Sequence, residues 1–98
     1  MKDKLLKDLG LAYRAGKIIL GGDIILEGFN KMAISCVFLV VGNVGDTARK
    51  LKNKCAYYKI PIIDSLTKED IKIALGKDDV KAFALCDKGF YDLIFKSL

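Results

Sequence analysis

The sequence predicts an α/β protein, a three-layer αβα sandwich in which helices cover both faces of one sheet. Three observations carry this. Stretches with helical apolar spacing alternate with short, β-branched runs along all 98 residues, in the order α-β-α-β-α-β-α-β-α. The run Cys36 to Val41 is apolar on both pleat faces, so it needs cover on both sides. Gly, Pro and helix-capping residues stand at the joints between elements. The length suits one compact domain spanning residues 1–98 and is too short for two.

The first helix is expected over residues 3–15, with Leu5, Leu9, Ala12 and Tyr13 on its inner stripe and Lys4, Lys7 and Asp8 on a polar face. Gly16 is its expected left-handed cap, because it has no Cβ to oppose a positive φ. Gly10 lowers helix propensity and so points to close packing against a neighbour. Lys17 to Leu20 reads as a short strand and Gly21-Gly22 as a turn. Asp23 is expected to cap a second helix over about 24–32, with Ile25, Phe29 and Met32 inward.

After the central strand, Gly42 to Gly45 form a loop, and Asp46 or Thr47 is expected to cap a third helix reaching about Tyr58. Pro61 opens a strand to Asp64. Thr67 is expected to cap a fourth helix, with Glu69 and Asp70 at the positive end of its dipole and Gly76 ending it. Ala82 to Cys86 reads as the last strand. Asp87 is expected to cap a final helix from Gly89 to about Ser97, with Phe90, Leu93 and Ile94 inward.

Composition narrows the function classes. The apolar fraction of 52% supports a packed core, and no apolar run reaches the roughly 20 residues of a membrane helix. Met1-Lys2-Asp3-Lys4 leads into an amphipathic pattern, unlike a signal peptide, so a cytoplasmic protein is expected. There is no histidine, which removes the usual base of a catalytic triad and a common zinc ligand. Cys36, Cys55 and Cys86 lack metal-like spacing and read as small core residues. No enzyme activity, cofactor or metal is expected. Asp23 and Glu27 stand four apart on one helix face, but nothing else in the sequence assembles a catalytic site around them.

Seventeen basic residues oppose 12 acidic ones, and the net charge of +5 suits a polyanionic partner. Most of that surplus sits in the third helix and its exit, where Arg49, Lys50, Lys52, Lys54 and Lys59 face the single acid Asp46. This arc reads either as a phosphate-binding face or as a solvated helix surface. Tyr57 and Tyr58 beside it offer rings for base stacking, with core packing the simpler role for Tyr58. The Gly21-Gly22-Asp23 turn joins a strand to a helix, but it lacks the Walker and Rossmann patterns of a nucleotide site. The mixed-charge loop Lys77 to Lys81 gains interest if it lies beside that turn, which a sandwich of this kind allows.

Four blocks carry a family resemblance: Leu9 to Lys17, Lys54 to Pro61, Gly76-Lys77-Asp78 and Asp87-Lys88-Gly89-Phe90. Their order and spacing resemble the bacterial YlxQ-type proteins of the ribosomal protein L-seven-Ae and L-thirty-e superfamily. The resemblance implies a mixed four-stranded sheet and binding of a kink-turn, a sharply bent RNA helix with tandem sheared G·A pairs. It also implies a recognition motif in which a Gly-Lys is followed by a Gly, an Asn, a Glu and, three residues later, a Lys. Aligned from Gly16-Lys17 to Gly21, the chain has Asp23 in place of Asn, Ile24 in place of Glu and Glu27 in place of Lys. Ionised Asp only accepts hydrogen bonds where Asn also donates. Ile24 would leave a guanine N–H unpaired at about 1–3 kcal/mol, and Glu27 reverses a charge near phosphate.

The expected partner is RNA, ribosomal or otherwise structured, with the ribosome as a host assembly and the protein a monomer. Lys17, Gly21, Gly22, Asp23, Asn43, Lys77 and Lys81 are expected to form one RNA-binding end surface, with Lys31, Arg49 and Lys50 as further contacts. The alternative is a protein-interaction module on the same fold, docking through Ile24.

Overall fold

Side-chain alternation along one strand organises the molecule. In the computed structural model, which describes residues 2–96, β2 (Cys36–Val40) turns Cys36 and Phe38 to one face of the sheet and Val37 and Leu39 to the other. All four side chains are buried, as expected for a central strand. The other strands are β1 (Ile18–Leu20), β3 (Ile62–Leu66) and β4 (Ala82–Leu85). Their order is β1-β4-β2-β3, with β4 antiparallel to β1 and β2, and β2 parallel to β3. The sheet is therefore four-stranded and mixed.

On one face lie α1 (Lys2–Arg14), α4 (Lys68–Leu75) and α5 (Lys88–Phe95). Leu5, Leu6, Leu9, Ile71, Leu75 and Ile94 pack there onto Phe38, Phe83 and Leu85. On the other face, α2 (Gly22–Gly28) and α3 (Asp46–Tyr58) bring Ile25, Phe29, Leu51 and Cys55 onto Val37, Leu39 and Ala84. This is the predicted αβα sandwich. The Phe38 and Phe83 rings face each other across the β2–β4 register, with centroids 4.7 Å apart and planes at 6°. Gly10 is where α1 touches α4, because a Cβ there would stand 2.9 Å from the Ala74 carbonyl oxygen. Among the described residues no helix is long and apolar enough to cross a membrane.

Several local expectations are revised. Gly21, not Asp23, caps α2: its φ of 101° lets the chain enter the helix directly, and its carbonyl accepts from the Ile25 amide. Asp23 falls inside the first turn. The helix stops at Gly28 because that carbonyl accepts from both Lys31 and Met32, closing a turn short of the expected end. Gly45 caps α3, and Asp46 uses its carboxylate to pair with Arg49 at 3.1 Å instead. The strand after Pro61 runs on to Leu66. Asp8 is buried beneath Lys4, whose ammonium donates to it at 3.0 Å. Leu93 stays 38% exposed, while Tyr91 joins Phe90 and Ile94 against the core. The predicted last residue of that helix, Ser97, lies outside the described residues.

The three cysteines are free thiols. Burial pushes the Cys36 thiol up to about 12, with the Cys55 thiol adding to the effect, and pushes Cys55 up to about 11. Cys86 is half-buried just past β4, and burial raises it too.

The fourth helix begins as predicted, in a complete capping box. The Asp70 amide donates to Thr67 Oγ1, and the Thr67 amide donates to Asp70 Oδ2, both at 3.0 Å. Lys2 Nζ lies 3.0 Å from the same carboxylate. The Thr67 amide, then Lys2, hold the Asp70 carboxyl below its ordinary value. A lowered folded-state value stabilises the fold above the ordinary carboxylate range, and that stabilisation is lost as pH falls through the lowered value. Asp70→Ala is expected to lower stability by about 1 kcal/mol at neutral pH, the cost of a lost cap. In urea titrations at successive pH values, variant and wild type should converge in acid.

Candidate nucleic-acid interface

Because β1, β2 and β3 point the same way and β4 runs back between them, one end of the sheet gathers three strand exits and one strand entry. The chain leaves β1 through Gly21 into α2, leaves β2 through residues 41–45 into α3, and enters β4 from Lys81. The carboxyl ends of strands in α/β sheets are the usual place for a ligand crevice.

Hydrogen bonds fasten these segments together. The Gly21 amide donates to the Ala82 carbonyl at 3.2 Å. The Lys81 carbonyl accepts from the Val40 amide at 3.0 Å and from Asn43 Nδ2 at 3.3 Å. Asn43 therefore ties the loop leaving β2 to the strand entering from 38 residues further on. Gly22 lets α2 start against α3, since a Cβ there would collide with Thr47 Cγ2. The result is a depression of about 320 Å³ lined by Gly22, Asp23, Asn43, Asp46, Thr47 and Lys81, among others.

The structure thus brings Gly21, Gly22, Asp23, Asn43 and Lys81 to one end. Three of the expected residues are not gathered there. Lys17 precedes β1, and its carbonyl accepts from the Cys86 amide at the opposite end of the β1–β4 ladder. The three extended residues of β1 separate Lys17 from Gly21, so although near in sequence it lies at the other end of the sheet. Lys31 follows the last turn of α2, close to Ser35, whose amide donates to Leu85 at that same far end. Lys77 directly follows Gly76, the left-handed cap of α4. From there the loop runs back along α4, with Asp78 pairing with Lys72 at 3.1 Å and Asp79 with Lys68 at 3.6 Å. These ion pairs occupy the loop's acids on α4, and Lys81 remains exposed at the depression.

Arg49 and Lys50 stand on exposed positions one turn into α3, followed by Lys52 and Lys54. The Arg49–Asp46 pair is exposed on both sides and so contributes little stability. Thr47 was not expected in the lining. Its place follows from Gly45 taking the cap position ahead of Asp46, which the Gly45-Asp46-Thr47 sequence leaves open. Ile24 (55% exposed) and Val44 (86% exposed) add apolar surface on α2 and on the loop leading to α3.

The lining of the depression offers the Asp23 and Asp46 carboxylates, the Asn43 amide and the Lys81 ammonium. Carboxylates accept from N–H groups, such as those on base edges, and repel phosphate, while Lys81 and the α3 cations attract phosphate. The arrangement is chemically divided in the way a nucleic-acid surface needs.

Comparisons with known proteins agree with the architecture. No family model matches the chain. The "RNA-binding protein YlxQ" of Enterococcus faecium is 30% identical over 89 residues, 91% of this chain and 85% of the relative. The "RNA-binding protein YlxQ" of Bacillus subtilis (strain 168) is 30% identical over 90 residues, 92% of this chain and 90% of the relative. A solved protein of unknown function from Bacillus halodurans C matches with a TM-score of 0.84 and 28% identity, covering 95% of this chain and 94% of that one. The Giardia lamblia 15.5kD RNA binding protein matches with a TM-score of 0.75 at 12% identity, covering 95% and 80%, which shows a shared fold. With 30% identity across nearly the full length of two relatives and the fold the resemblance implied, this chain belongs to the YlxQ family.

Proposed function

We propose that this chain is a non-catalytic RNA-binding protein that takes structured RNA at the carboxyl end of its sheet. The observation that carries the reading is the convergence of the Gly21-Gly22 turn, the Asn43 loop and Lys81 beside the basic start of α3. The names of the two YlxQ relatives support it. In this reading Asp23 accepts from base N–H groups, while Lys81, Arg49 and Lys50 meet phosphates. The favoured target is a bent RNA of the kink-turn type or another structured segment, ribosomal RNA included. The protein acts as a monomer of one domain in the cytoplasm.

Binding of a fluorescent kink-turn RNA and a straight duplex of equal length at 0.15 M salt tests this. At that salt, exposed charges beyond about 8 Å are largely screened, so charge reversals act locally. Lys81→Glu is expected to weaken RNA binding at least tenfold, whereas Lys17→Glu, at the far end of β1, should change it less than twofold. Equal losses from the two variants, or no binding by the wild type, would contradict the proposal. The exposure of Ile24 supports a second reading, a protein-docking module. That reading predicts a partner lost on Ile24→Lys and a wild-type chain without RNA affinity.

A further inference from the structure

We infer that the groove between α2 and α3 is a separate site for a single-stranded RNA segment, in which an unpaired base stacks on Tyr57 and its phosphates lie on Lys50 and Lys54. The inference takes RNA as ligand class from the function proposed above, but it concerns a different surface, centred on Tyr57, that shares only lysines of α3 with the first.

The groove has a volume of about 640 Å³ and is lined by Leu26, Lys50, Asn53, Lys54, Tyr57 and Tyr58. Lys50, Asn53, Lys54 and Tyr57 occupy positions i, i+3, i+4 and i+7, so they stand on one face of α3. The lining contains two cations and no acid. An apolar ring surface flanked only by positive charge complements a base and its phosphate, and it suits an acidic, aromatic ligand better than a neutral apolar one.

The two tyrosines have different parts. Tyr58 is fixed: its ring stacks on Phe29 with centroids 5.5 Å apart, and its hydroxyl donates to Asn30 Oδ1. Tyr57 meets it edge to face at 4.9 Å and 88°, yet stays 79% exposed. A fixed neighbour thus holds a ring whose own surface is open to solvent. Lys54 Nζ lies 6.0 Å from the Tyr58 ring centroid, which keeps its charge over the groove.

Anisotropy of a fluorescein-labelled single-stranded RNA hexamer with the full chain at 0.15 M salt, where a charge reversal acts locally, tests the site. Tyr57→Ala is expected to weaken hexamer binding about tenfold, in line with the loss of one base stack. Tyr57→Phe, which keeps the ring, should bind within twofold of wild type, and Lys50→Ala with Lys54→Ala should weaken binding at least as much as Tyr57→Ala. Lys81→Glu should leave the hexamer within twofold while it impairs structured RNA, so the two surfaces fail independently. Unchanged affinity in Tyr57→Ala, or a wild type that does not bind the hexamer, would overturn the site.

Discussion

Replacing Phe38 by alanine is expected to remove about 3–5 kcal/mol of stability, the usual cost of emptying a buried phenylalanine site. Three features put it at the upper end. Phe38 is wholly buried in the central strand, it stacks on Phe83 across the β2–β4 register, and helices cover it from outside. Truncation leaves a cavity that the paired strands cannot close without breaking the ladder. Small domains have about 5–15 kcal/mol in total, so this is a large share, and Tm should fall by at least roughly 12 °C. Urea unfolding would show the loss as a lower midpoint with little change in slope. Tyr57→Ala is the surface control and should shift stability by no more than about 0.5 kcal/mol.

The second large effect is electrostatic. If Arg49, Lys50, Lys52, Lys54 and Lys81 all meet phosphates, affinity should fall with salt with a log–log slope of about −4. Raising salt from 50 to 200 mM then weakens binding by roughly two orders of magnitude. The sign follows from counterion release: each neutralised phosphate frees a bound cation, and added salt opposes that release. Lys81→Ala should reduce the slope by about one. A flat salt dependence would mean that these cations only solvate the helix. A steep slope shared equally by kinked and straight RNA would limit the surface to nonspecific phosphate contact.

Features decided by neighbouring residues were legible in the sequence. The nine elements, their order, the doubly covered central strand and the caps at Thr67, Gly76 and Asp87 all follow from periodicity and side-chain chemistry within a few positions. Features decided by distant pairing were not. The order β1-β4-β2-β3 depends on contacts far apart in sequence, and so does the Asn43–Lys81 hydrogen bond that fastens the candidate site. Lys17 shows the difference well. It adjoins the Gly21 turn in any motif, but the extended β1 carries it to the opposite end of the sheet. Asp23 and Asp46 look like caps because both are good at it. Gly21, with its positive φ, and Gly45, in an ordinary extended conformation, take the cap positions instead, leaving both carboxylates in the lining of the depression. Asp8 stands beside Lys7 in the sequence and so reads as part of the polar face, whereas in the fold it is buried with Lys4 donating to it.

The most direct test of where RNA sits is the backbone amide spectrum of the isotopically labelled protein, recorded as a kink-turn RNA is added at moderate salt. The account predicts the largest shifts at Gly21 to Asp23, at Asn43 to Thr47 and at Lys81 and Ala82, with Lys17 and Lys31 nearly unmoved. Shifts centred on Lys17, Lys31 and Cys86 would place the RNA at the opposite end of the sheet and contradict it.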